Sequence, residues 1–114
     1  MKIKRQPQDN VMVLEITGDI MGGSDYELFT TEIKNLVEQG FVDVVLDLGQ
    51  VRFINSTGLG IMVSGLTTLN KNTGQMKVCN LNDRIDRIFS ITSLTTIFPT
   101  YESRADAVAS FGAA

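Results

Sequence analysis

The chain has 114 residues, 43% apolar and 20% charged, and its 10 basic and 13 acidic side chains leave a net charge of −3. That is the size of one domain with a real core, and no apolar run approaches the ~20 residues a membrane span needs. With no histidine and one cysteine, Cys79, the usual nitrogen and sulfur zinc sites, histidine-based catalytic pairs and an internal disulfide are excluded.

Residues 2–5 (KIKR) read as a short charged edge strand and Pro7 to Asn10 as a turn. Val11 to Thr17 completes a hairpin, with Met12, Leu14 and Ile16 on one face and Val11, Val13 and Glu15 on the other. Residues 18–23 (GDIMGG) form a loop. Ser24 and Glu27 have the spacing of a capping box ahead of a helix whose inner face is Phe29, Ile33, Leu36 and Val37; it ends at Gln39, with Gly40 at the carboxyl cap. Over residues 42–48, Val44, Val45, Leu46 and Leu48 make a nearly continuous apolar run, which predicts a strand buried on both faces. Asp47 interrupts it, where an acid is expected to accept backbone or side-chain hydrogen bonds.

Asn55, Ser56 and Thr57 are three consecutive residues suited to capping, and from Leu59 the apolar positions 59, 62, 63, 66 and 69 define a helix to about Lys71. Gly58 and Gly60 thin its first turn so that other backbone can approach. Gln75 to Asn80 reads as a strand with Met76 and Val78 on one face and Cys79, without a redox role, on the other. Asn82 or Asp83 caps a third helix carrying Ile85, Ile88 and Phe89. Thr96 to Phe98 reads as a last strand, confined to the sheet edge or its end because Pro99 lacks an N–H. Ser103 and Asp106 mark a fourth helix with Ala105, Val108, Ala109 and Phe111 inward. The order predicts one α/β domain over residues 1–114, its mixed sheet built from a hairpin and right-handed crossovers.

Residues 43–60, DVVLDLGQVRFINSTGLG, join an apolar strand, Asp-Leu, a short loop and Asn-Ser-Thr-Gly-Leu-Gly at a helix start, and Gly18-Asp19-Ile20 precedes them. This resembles the signature of STAS-domain proteins, the family of bacterial anti-sigma factor antagonists, whose segments read Gly-Glu-Leu and Asp-Ser-Ser/Thr/Ala-Gly-Leu-Gly. The order of elements agrees from about residue 2 to 111. The resemblance implies a STAS-like small mixed sheet of four to five strands covered by about four helices. In that family the serine after the acidic position is phosphorylated by an anti-sigma factor kinase, and that position here is Ser56. Two residues depart from the pattern: Asn55 stands where many members carry aspartate, and Met21 where many carry a second acid in the loop expected to meet the kinase.

A serine or asparagine at a helix start reads first as an N-cap, and it is the motif that makes Ser56 a switch residue, with Thr57 the competing hydroxyl. A phosphoryl group on Ser56 adds about −1.5 to −2 charge at a helix amino end, where the dipole favours anions. The neutral Asn55 does not repel it. A bare patch of Ser56, Thr57, Gly58 and the Gly22-Gly23 loop then carries a dianion that a docked partner must desolvate or oppose.

The expected partner-binding residues are Asp19, Met21, Gly22, Gly23, Asn55, Ser56, Thr57 and Gly58. The expected partners are an anti-sigma factor serine kinase, bound when Ser56 is unmodified and released on phosphorylation, and a serine phosphatase. The alternative is a regulatory STAS subunit of a membrane transport complex. A hydrolase using Ser56 has no histidine or placed lysine as base. Spread charge gives no case for nucleic acid. The basic amino terminus lacks the apolar stretch of a secretory signal. The expectation is therefore a cytoplasmic regulator, monomer or weak dimer, with no enzyme activity, cofactor, metal or direct membrane insertion.

Overall fold

In the computed structural model, which describes residues 1–112, the central strand has both faces buried. Val44, Leu46 and Leu48 alternate with Val45 and Asp47, all under 8% exposed, so a helical layer lies on each side. The elements run β1 (Lys2–Gln8), β2 (Val11–Thr17), α1 (Ser24–Glu38), β3 (Asp43–Gln50), α2 (Ser56–Lys71), β4 (Gln75–Cys79), α3 (Asp83–Ile91), a 3-10 turn (Leu94–Thr96), β5 (Thr100–Tyr101) and α4 (Arg104–Gly112). The sheet order is β1-β2-β3-β4-β5, with β1 antiparallel to β2 and the other neighbours parallel. The fold is thus the mixed sheet with four helices that the STAS resemblance implies.

Register explains the layering. Met12 pairs with Val44 and Val44 with Met76; Leu14 pairs with Leu46 and Leu46 with Val78. These rows face the larger core, formed with Phe29, Ile33 and Leu36 of α1, Ile61, Met62, Leu66 and Leu69 of α2, Ile85 and Phe89 of α3, and Phe98. The other face is smaller: Val11, Val13, Val45 and Cys79 under Ala107, Val108 and Phe111 of α4. Burial and the nearby Asp47 charge push the Cys79 thiol up to about 12, which keeps it protonated and unreactive.

Where the chain departs from the sequence reading, a local cause is visible. β1 runs through Pro7 to Gln8 instead of stopping at residue 5, because an edge strand tolerates a residue without an N–H; the turn is Asp9-Asn10, with Asp9 left-handed at φ 56°. Ser24 is the first residue of α1 and not its cap. The cap is Gly23, and the predicted capping-box bond is absent. Residues 94–96 form a 3-10 turn, and the last strand follows Pro99 instead of preceding it. Pro99 lacks a donor but keeps its acceptor, and its carbonyl takes the Val78 N–H at 3.0 Å.

The fourth helix is also rotated from the predicted face: Ala107 is buried while Ala105 and Ala109 are exposed. Arg104 sets this orientation by reaching across the sheet to Asp47 and Glu15, which are register neighbours on β3 and β2. Lys77 adds a second tie, donating to Ser110 Oγ at 2.7 Å with its Nζ 4.0 Å from the centre of the Phe111 ring.

Candidate functional site

The two loops at the carboxyl ends of β2 and β3 lie side by side, the usual place for a site in a sheet of parallel strands. An isolated parallel bridge between Ile20 and Ile54 continues the pairing past both strands. Backbone bonds stitch the loops together: Gly18 N–H to the Gln50 carbonyl at 3.2 Å, Ile20 N–H to Phe53 at 3.1 Å and Asn55 N–H to Ile20 at 3.3 Å. Ile20 and Ile54, both buried, anchor them to the core.

α2 starts directly after this stitch. Asn55 is its N-cap, with extended backbone (φ −90°, ψ 179°), and its Oδ1 accepts the Gly58 N–H at 2.7 Å. Its Nδ2 donates to the Met21 carbonyl at 2.9 Å. The Asn55 carbonyl accepts the Leu59 N–H at 2.9 Å, so the N–H groups of Ser56 and Thr57, which no preceding helical carbonyl can reach, sit at the open end of the helix. Ser56 and Thr57 are exposed.

The glycines of the loop and helix bring the two segments into contact. A Cβ on Gly58 would overlap the Ile20 carbonyl oxygen and stand 2.9 Å from Ile54 Cγ2. A Cβ on Gly22, whose φ is +111°, would meet Thr57 Cγ2 at 2.8 Å. Gly60 has nothing within 4 Å of such an atom, so of the two glycines expected to admit close backbone only Gly58 does.

Beside Ser56, Asn55 thus bonds to both Met21 and Gly58 and Gly22 packs against Thr57, with Met21 45% exposed. Gly23 supplies the cap of α1. Asp19 faces elsewhere, into an open depression lined by Arg52, Phe53, Asn82, Asp83 and Arg84, and its Oδ1 is buried without a hydrogen-bond partner among the described residues.

Two features escaped the sequence reading. Asn82 does cap α3, accepting the Ile85 N–H at 2.8 Å, but its Nδ2 also donates to the carbonyls of Val51 and Arg52 at 3.2 Å each, tying α3 to the loop that leads into Ser56. Asn82→Ala is expected to cost about 1–2 kcal/mol, and Asn82→Asp, which keeps the cap and loses the donor, less than half of that. Urea unfolding of both variants measures it. The second is the Arg104 partner of Asp47. Burial would push the Asp47 carboxyl up, but hydrogen bonds from Asn80, the Gly49 N–H and Arg104, with the Arg104 charge, hold it below its ordinary value.

Residues 2–107 match the family model described as STAS domain. The chain belongs to the STAS domain family. This STAS domain is 29% identical over 104 residues to the Anti-sigma-B factor antagonist of Staphylococcus aureus, spanning 90% of this chain and 94% of that one. An anti-sigma factor antagonist from Mycobacterium paratuberculosis superposes with a TM-score of 0.80 at 27% identity, covering 96% of this chain and 92% of the other.

Likeness of fold alone extends further. The Bacillus cell fate determinant SpoIIAA in its phosphorylated form gives a TM-score of 0.73 at 14% identity over 96% of this chain and 99% of that one. The murine anion transporter Slc26a9 gives 0.76 at 18% identity, but the match spans 96% of this STAS domain and only 19% of the transporter chain. Among the described residues no helix is long and apolar enough to cross a membrane.

Proposed function

We propose that this STAS domain is an anti-sigma factor antagonist of the cytoplasm, a regulatory binding module and not an enzyme. Unmodified, it docks on an anti-sigma factor serine kinase through the surface of Met21, Gly22, Gly23, Asn55, Ser56, Thr57 and Gly58, with Asp19 at the margin, and so frees a sigma factor. Phosphorylation of Ser56 releases it, and a serine phosphatase restores the binding state.

The observation that carries this reading is that Asn55 performs the capping of α2, which leaves the Ser56 hydroxyl exposed at the open end of the helix with no capping duty. A phosphoryl group there meets unpaired N–H groups and the positive end of the helix dipole. The fold can hold a dianion at that point while the docking surface changes its charge by about −2. The whole-length similarity to proteins named as antagonists supports the same reading. The transport-subunit alternative has a likeness of fold behind it and nothing more.

The test is a pair of hydroxyl deletions expressed in the native host. Ser56→Ala is expected to carry no phosphate at this site, and Thr57→Ala to remain modified at Ser56. Phosphate on Thr57 in both wild type and Ser56→Ala would move the switch by one residue.

A further inference from the structure

The surface around Ser56 carries no charge of its own. Neither the Met21–Gly23 loop nor the Asn55–Gly58 start of α2 contains an acidic or basic side chain. The two acids that flank the loop are engaged or turned away: Asp25, 13% exposed, accepts the Met21 N–H on Oδ2 at 3.3 Å, and Asp19 lines the separate depression of Arg52 and Arg84.

Apolar surface gathers there instead. Of the five large apolar side chains exposed among the described residues, Met21, Tyr26 and Leu28 fall within eight residues on this loop and the start of α1, at 45%, 52% and 45%. Met12, Met62 and Met76 are buried in the core, so the outward position of Met21 is not a general habit of the methionines. Its main chain is fixed at both ends, because the N–H donates to Asp25 and the carbonyl accepts from Asn55 Nδ2 at 2.9 Å. An ordered loop therefore holds a flexible thioether in water. Such a side chain adapts to irregular apolar recesses, and tyrosine adds a large ring at small entropic cost.

We propose that Met21, supported by Tyr26, is the specificity determinant of the Ser56 face: it inserts into an apolar recess of the kinase, where an acid at position 21 would call for a basic partner instead. The proposal rests on the reading of Ser56 as the phosphorylation site. A neutral, apolar contact excludes water, so a phosphate dianion formed at its edge must be desolvated with no counter-charge from this contact. Docking is lost for that reason.

Met21→Leu and Met21→Gln separate apolar character from length without adding charge beside Ser56. Both are expected to keep a near wild-type Tm, since the substituted side chain is half in water and outside the core. In the native host, Met21→Leu is expected to hold wild-type phosphate occupancy on Ser56. Met21→Gln, as long as methionine but ending in an amide, is expected to lower it about fivefold. An apolar diazirine residue placed at position 21 reads the contact directly, and its cross-link is expected to map to apolar side chains of a protein kinase.

Equal occupancy in Met21→Gln and wild type, or equal loss in both variants, would overturn the proposal while leaving Ser56 as the site. So would a cross-link to basic residues or to a second copy of this chain. A wild type without phosphate on Ser56 would defeat the reading of Ser56 and the proposal with it.

Discussion

Replacing Gly58 by alanine is expected to destabilise the protein by roughly 2–4 kcal/mol, while the same replacement at Gly60 is expected to stabilise it by up to about 1 kcal/mol. Intrinsic helix propensity favours alanine at both positions by about the same amount. The difference lies in what a Cβ meets: the Ile20 carbonyl oxygen and Ile54 Cγ2 at Gly58, and open space at Gly60. Flexible side chains yield to such an overlap, but backbone held by the Ile20–Ile54 bridge and the Ile20 N–H bond to Phe53 does not yield cheaply. Either the loop or α2 must shift, so Gly58→Ala should also displace the surface around Ser56. Chemical denaturation of both variants, with exchange rates over residues 18–23, reads both effects. Equal stability changes at the two glycines would show that the loop-to-helix contact is looser than described.

The second large effect is at the opposite face of the sheet. Arg104→Ala is expected to cost about 2–3 kcal/mol, since it strips the cation from Asp47, which is 7% exposed, and from Glu15, its register neighbour. The two carboxylates then face each other across adjacent strands without compensation. Asp47→Asn with Arg104→Ala should cost less than the sum of the single changes, by on the order of 1 kcal/mol, because the repulsion is removed with its cause.

The pH dependence of this network has a definite sign. Folding holds the Asp47 carboxyl below its ordinary value, so the ion pair contributes fully at neutral pH. That contribution is lost as pH falls below about 4, through the folded-state pKa. Stability measured from pH 7 downward should therefore drop less steeply below pH 4 in Arg104→Ala than in the wild type.

What was legible in the sequence is what short-range pattern encodes. The double-sided burial of β3 was written in Val44, Val45, Leu46 and Leu48, and the α2 start in Asn55-Ser56-Thr57, since both depend on neighbours within a few positions. The proposal that Ser56 accepts a phosphoryl group rests instead on the resemblance of the motif. The Asn55 bond to Met21, the Asn82 bonds to Val51 and Arg52 and the Arg104 bonds to Asp47 span 34, 31, 30 and 57 residues. No periodicity announces such pairs, because they depend on the sheet register and on how helices dock. The misplaced last strand has the same origin: Pro99 marks where a donor is missing, but whether pairing falls before or after it is decided by the position of Val78 on β4.

The measurement that bears most directly on the switch is intact-mass analysis with site mapping of the protein purified from its native host, with and without phosphatase treatment. A single phosphate on Ser56, removed by the phosphatase and varying with growth or stress, is the predicted result. A protein that stays unmodified at Ser56 across those conditions would contradict the account.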